Sequence, residues 1–196
     1  MDRNKQLDAI RSYAHQLFHN DHTGHDYYHM KRVAHMAREL AIDEEGDLFI
    51  CEAAGWLHDV GDRKLFNDPL RVLENMNDFL NSIGLNEDSK REINHVISTI
   101  SFSGGKTPTT LAGKIVQDAD RLDAIGAIGI ARTFHYGGAN NQLIYKPDDP
   151  NTSIQHFYDK LLKLKEGIHT ASARKIAEER HNWLLEFLDQ FHKEWI

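Results

Sequence analysis

The stretch Leu48-Phe49-Ile50-Cys51-Glu52-Ala53-Ala54-Gly55-Trp56-Leu57-His58-Asp59 is a predominantly apolar run that ends on an imidazole and a carboxylate. Leu48, Ile50, Ala53, Ala54 and Leu57 recur at helical spacing, which predicts a helix apolar enough to be largely buried, with Gly61 stopping it. Solvated side chains are out of place at the end of such a helix, so His58 and Asp59 read as polar groups held inside the fold. The same periodicity continues on either side. Leu7, Ile10, Ala14, Leu17 and Phe18 mark a first helix, ended by the polar stretch from Asn20 to Gly24. From Tyr27, Val33, Met36, Ala37 and Leu40 mark a second. Pro69 opens a fourth, with Val72, Leu73, Met76, Phe79 and Leu80 inward before Gly84. Ile93, Val96, Ile97 and Ile100 give a fifth helix, and Leu111, Ile115, Ala119 and Leu122 a sixth. The segment Ser101 to Thr110, with its glycine pair and Pro108, reads as a loop. Tyr136 to Asn151 is rich in Gly, Asn, Asp and Pro and reads as a long polar loop, a candidate lid. Ser153 and Thr170 are expected to cap two last helices, the final one patterned by Ala173, Ile176, Ala177, Leu184, Phe187, Leu188 and Phe191. No strand series competes, so the expectation is an all-α fold in a single domain over residues 1–196.

Composition agrees with that size and class. The 196 residues are 40% hydrophobic and 27% charged, which suits one globular domain and excludes fibrous or disordered classes. A formal net charge of -7 repels polyanions on average and argues against bulk nucleic-acid or anionic-membrane binding, while leaving room for a local basic pocket. Cys51 is the lone cysteine, and no long apolar run or secretory segment is visible, so a cytoplasmic protein with no membrane span is expected. The 13 histidines are the unusual feature, because imidazole is the commonest metal ligand.

Histidines and acids that lie on apolar stripes are the informative ones. His29 sits four residues before Val33 and seven before Met36, on the inward face of the second helix. Asp118 lies three after Ile115 and four before Leu122, so it points inward, whereas Asp120 is about 200° further round at 100° per residue. Taken singly, these residues have simpler readings: a hydrogen-bonded core histidine, a helix cap, a solvated turn. Together, two buried acids beside two imidazoles call for a divalent cation to balance the charge, which makes His29, His58, Asp59 and Asp118 a metal site.

The order His29, then His58-Asp59, then Asp118 resembles the HD-domain superfamily of metal-dependent phosphohydrolases. The likeness is carried by Gly24-His25-Asp26-Tyr27-Tyr28-His29 with Arg32-Val33, by Ala54-Gly55-Trp56-Leu57-His58-Asp59, and by Ile115-Val116-Gln117-Asp118-Ala119-Asp120-Arg121-Leu122-Asp123-Ala124-Ile125-Gly126. These stretches are similar to a bacterial branch of predicted HD hydrolases across nearly the whole chain. The resemblance implies a helical fold, a divalent ion held by His29, His58, Asp59 and Asp118, and hydrolysis of nucleotides, with a nucleoside triphosphate cut to a monophosphate and pyrophosphate. His95 is the only histidine between His58 and Asp118, so one metal is expected.

Imidazole with carboxylate suits Mn²⁺ best, with Mg²⁺, Co²⁺, Ni²⁺, Fe²⁺ or Zn²⁺ as alternatives. Phosphate oxygens also need cations, and Arg32 and Lys64 stand close to the ligands in sequence; both would otherwise be solvated charges. His25 and Asp26 sit one turn before His29, where they could relay a proton with Asp59 or orient His29; a helix cap by Asp26 is the simpler alternative. Asp123 can hold Arg121 or a substrate group, or pair within its helix. Tyr136 or Tyr145 on the long loop could stack on a base. Competing readings are a nucleotide phosphatase or phosphodiesterase of the same fold, a diiron oxygenase, which would need further ligands, and a metal-stabilised nucleotide-binding module. A homo-oligomer is compatible with all of them.

Overall fold

The computed structural model describes residues 2–100 and 107–195. Among them the chain is all-α: α1 (Arg3–Phe18), α2 (Tyr27–Asp43), α3 (Leu48–Leu57), α4 (Pro69–Ser82), α5 (Glu87–Ile100), α6 (Leu111–Asp123), α7 (Gly126–Ala139), α8 (Ser153–Asp159), a 3-10 segment (Leu161–Gly167) and α9 (Ala171–Glu194). Most helices start where a short oxygen-bearing side chain can take an orphan amide. Asp2 accepts from Lys5 N, Asp26 from His29 N, Asp68 from Arg71 N and Thr110 from Gly113 N. Part of the loop expected from Ser101 to Thr110, residues 101–106, lies outside the described residues.

The core is built on α3, in which every residue from Phe49 to Leu57 is buried. It packs most extensively on α2, and α2 in turn on α6. Gly55 permits this contact: a Cβ there would lie 2.7 Å from the backbone Cα of Ala34, so α2 and α3 touch almost backbone to backbone. The only buried acid of α3, Glu52, is paired with Arg11 at 2.7 Å and Arg38 at 3.4 Å. These contacts fix the ends of α2 and α3 relative to α6, and those ends carry the polar site.

Two parts of the fold differ from the sequence reading. Helix α7 has no counterpart in it, because its glycines and weak stripe resemble a linker; they let the helix approach the Ala124 carbonyl and the Ser153 side chain instead. Tyr136 therefore lies within α7, and the polar connection begins after it. That connection is not a free lid. Ser153 N and Ile154 N donate to Leu143 O and Ile144 O, each at 3.0 Å, and Tyr145 packs edge-on against Phe191 and His192 of α9 and against Trp195 just after it. The cap of α8 is Thr152, one residue before the expected Ser153. No helix among the described residues is long and apolar enough to cross a membrane.

Candidate metal centre

His58 follows the last residue of α3, and its Nδ1 donates to the Gly55 carbonyl at 2.9 Å. His29, fully buried in the first turn of α2, donates from Nδ1 to Asp123 Oδ2 at 2.7 Å. With both Nδ1 atoms committed to acceptors, the two Nε2 atoms are the ring positions turned to the site, 3.2 Å apart, and each offers a lone pair there when its ring is neutral. Asp59 Oδ2 lies 3.3 Å from His58 Nε2 and 3.7 Å from His29 Nε2. Asp120 Oδ1 lies 3.8 and 3.6 Å from the same two nitrogens. Two carboxylate oxygens thus each lie within 3.8 Å of the same pair of imidazole nitrogens. Such a cluster is repulsive unless a cation sits among them, and its donor set of imidazole and carboxylate fits a divalent transition ion.

The protonation pattern points the same way. Burial holds the His29 imidazole neutral, although the Asp123 hydrogen bond works against this. Burial also opposes charge on His58, but Asp59 and Asp120 outweigh it and lift its pKa to about 9. Burial would raise the Asp59 carboxyl, yet His58, His25 and His29 hold it well below the usual range. Without metal, a single proton on His58 does the work of the cation. Metal binding must displace that proton, so apparent Mn²⁺ affinity is expected to fall about tenfold per pH unit as pH drops below 9. Titrations at pH 6.5, 7.5 and 8.5 check this; equal affinities would show that no proton is exchanged.

The remaining expected residues divide clearly. His25 Nδ1 meets Asp59 Oδ2 at 2.8 Å, and the ring is 40% exposed at the mouth of the site. Asp118 is turned away from the histidines. It is fully buried, as its stripe required, but it faces α9 and accepts from His169 N, Thr170 N and Thr170 Oγ1 at 2.8–3.2 Å. Its charge is met by the start of α9, and Asp120 stands where Asp118 was expected. Asp26 is the cap of α2, its Oδ1 accepting from His29 N at 2.7 Å. Asp123 is buried beside His29 and is not among the residues lining the cavity; it accepts from His29, from Arg32 Nε at 2.6 Å and from Arg132 at 2.7 Å. Arg32 holds Asp123 with both Nε and a terminal nitrogen and is not among the residues lining the cavity. Arg121 bonds to the Gly167 carbonyl and to His169 Nε2.

The cluster opens on a cavity of about 1280 Å³. His25, His58, Asp59 and Asp120 lie in its wall, and Arg63, Lys64, Lys90, Arg91, Arg121, Arg132 and Lys160 line it too, against Asp62 and Glu87 as the further acids among the described residues. The local basic pocket is thus present in an acidic chain. Sequence reasoning missed Asp120, Arg132 and Lys160. For Asp120 the only signal was its place two residues after Asp118; Arg132 lies on α7, which the periodicity left unassigned, and Lys160 directly follows α8, the helix expected from Ser153.

Residues 26–125 match the HD domain. The chain belongs to the HD-domain superfamily of hydrolases. This HD protein is 39% identical over 194 residues to YpgQ of Bacillus subtilis, covering 97% of this chain and 94% of that one. The crystal structure of B. subtilis YpgQ in complex with ADP aligns with a TM-score of 0.84 at 38% identity, over 96% of this chain and 97% of that one. An HD-superfamily hydrolase from Bacillus thuringiensis aligns with a TM-score of 0.83 at 39% identity, over 99% and 98% of the two chains. His29, His58, Asp59 and Asp120 fall inside the matched HD region, whereas His25, Arg132 and Lys160 fall outside it.

Proposed function

We propose that this chain is a metal-dependent phosphohydrolase that takes a nucleoside triphosphate, including deoxynucleotides, to a monophosphate and pyrophosphate, with His29, His58, Asp59 and Asp120 holding one divalent ion, Mn²⁺ favoured. The observation that carries the reading is the convergence of four metal-type acceptors on a cavity whose walls are cationic in an otherwise acidic protein. The ADP complex of YpgQ supports a nucleotide as the ligand class. When bound, the ion lowers the pKa of a coordinated water and offsets charge at the attacked phosphorus. The chain's residues do the rest. Asp123 fixes the His29 tautomer so that Nε2 points into the site. Asp59 orients His25, whose exposed ring can exchange a proton with the reacting groups at the cavity mouth. Lys64, in the cavity wall, supplies positive charge for phosphate oxygens.

Hydrolysis in ¹⁸O-labelled water with Mn²⁺ tests the reaction. Label is expected in the nucleoside monophosphate, with pyrophosphate unlabelled. Label in free orthophosphate would make the protein a phosphatase and overturn the bond assignment while leaving the metal site standing.

A further inference from the structure

The connection between α1 and α2, residues 19–26, brings His25 to the mouth of the metal cluster, yet none of its residues is buried. Its shape comes from hydrogen bonds. Asp21 Oδ1 accepts from Thr23 N at 2.8 Å and from His25 N at 3.1 Å, and Thr23 Oγ1 donates to the same oxygen at 2.9 Å. These bonds set the internal geometry of the loop but not its place on the protein.

Two side chains of α7, three residues apart and so on one face of that helix, supply the place. His135 Nε2 donates to the His22 carbonyl at 2.8 Å, joining positions 113 residues apart in sequence. Arg132, anchored at 2.7 Å on Asp123 Oδ2, packs against Gly24, where an added Cβ would stand 3.6 Å from the Arg132 Nε. Gly24 has φ +98°, so the loop backbone makes this close pass in a conformation that favours glycine. His135 is itself exposed, so what it gives the loop is the hydrogen bond and not buried area. From this loop His25 Nδ1 meets Asp59 Oδ2 at 2.8 Å, and any shift of the loop backbone moves the ring relative to the metal ligands. A misplacement of about 1 Å at a reacting group can cost on the order of a hundredfold in rate.

We propose that His135 is a positioning residue: its hydrogen bond to His22 holds the α1–α2 loop so that His25 stands against Asp59 at the mouth of the cavity. This deepens the reading above and rests on it for the proton-exchange role of His25. Both His25 and His135 lie outside the matched HD region, so the C-terminal part of the chain takes part in the reaction through the loop and without touching substrate.

The test combines turnover of a nucleoside triphosphate with backbone hydrogen exchange, both on the whole protein with Mn²⁺. His135→Leu keeps bulk and removes the donor. It is expected to lower kcat about 3- to 10-fold, the worth of one hydrogen bond, with KM and Mn²⁺ affinity unchanged. The Thr23 and His25 amides, which donate to Asp21, should exchange faster in this variant by a similar factor. His135→Gln, whose side-chain amide donates from a similar reach, should restore both readouts. In a His25→Ala background, itself about a hundredfold slower, His135→Leu should add no further loss. Wild-type exchange in His135→Leu, a kcat unchanged by it while His25→Ala is slow, a loss that His135→Gln leaves in place, or an equal further loss on top of His25→Ala would each overturn the proposal. The two readings fail separately. Wild-type turnover in His25→Ala would sink the proton-exchange role of His25, and the exchange rates alone would then decide whether His135 holds the loop. A slow His25→Ala beside a His135→Leu that is wild type in both readouts would sink the positioning role alone.

Discussion

Asp59→Asn is expected to abolish stoichiometric metal binding and lower kcat/KM by roughly a thousandfold or more, the several kcal/mol that a catalytic ion supplies. The reason is geometric. Asp59 Oδ2 is the one oxygen within 3.7 Å of both Nε2 atoms that also meets His25, so its charge serves the ion and the neighbouring imidazole together. Asparagine keeps the shape and removes the charge. Elemental analysis of the purified variant alongside its kinetics checks this. A variant that retains one ion per chain and near-normal turnover would remove Asp59 from the ligand set.

The second large effect belongs to Asp123 and concerns stability as much as chemistry. Its side chain is 6% exposed and receives hydrogen bonds from His29, Arg32 and Arg132, so Asp123→Ala leaves two guanidinium groups without their carboxylate in a poorly solvated place. Breaking a buried pair in this way costs about 3–5 kcal/mol. Loss of the hydrogen bond that orients His29 should weaken metal binding by about 10- to 100-fold as well. Denaturant melts of the metal-free protein and Mn²⁺ titration measure the two effects; a stability loss below about 1 kcal/mol would contradict the burial argument. The pH dependence follows from the same contacts. Burial alone would raise the Asp123 carboxyl, but His29 and Arg32 hold it well below the ordinary range. A depressed carboxylate stabilises the fold above its unfolded pKa of about 4, and that contribution fades as pH falls through the lower folded value. The gap between wild type and variant should therefore stay constant from neutral pH to about 5 and close only in strong acid.

The fold was legible wherever apolar periodicity was strong. Leu48 to Leu57 is so uniformly apolar that its burial, and the polar site at its end, could be read directly, and His29 fell on a stripe that the structure buries completely. Helix α7 escaped because glycine serves there for close approach, a tertiary reason that local propensity does not register. The two acids of α6 show the limit most sharply. Periodicity correctly put Asp118 inward, yet a fully enclosed acid can be satisfied by the amides that start another helix, and the start of α9 provides them. A catalytic metal needs ligands at the edge of the core, where water and substrate can reach, and Asp120, with its side chain 33% exposed, meets that condition. The inward test chose the better-buried acid, whereas the ligand set proposed above takes the one at the boundary. Arg32 failed for a related reason: closeness in sequence to a ligand did not show that Asp123 already claimed it.

The most direct test compares bound Mn²⁺ in Asp120→Asn and Asp118→Asn after dialysis against the same limiting Mn²⁺ concentration. The ligand set drawn from the geometry predicts that Asp120→Asn loses the ion while keeping a wild-type melting profile. Asp118→Asn should keep about one ion per chain and melt at lower temperature, because the start of α9 loses its acceptor. Metal retained in Asp120→Asn and lost from a folded Asp118→Asn would contradict the account.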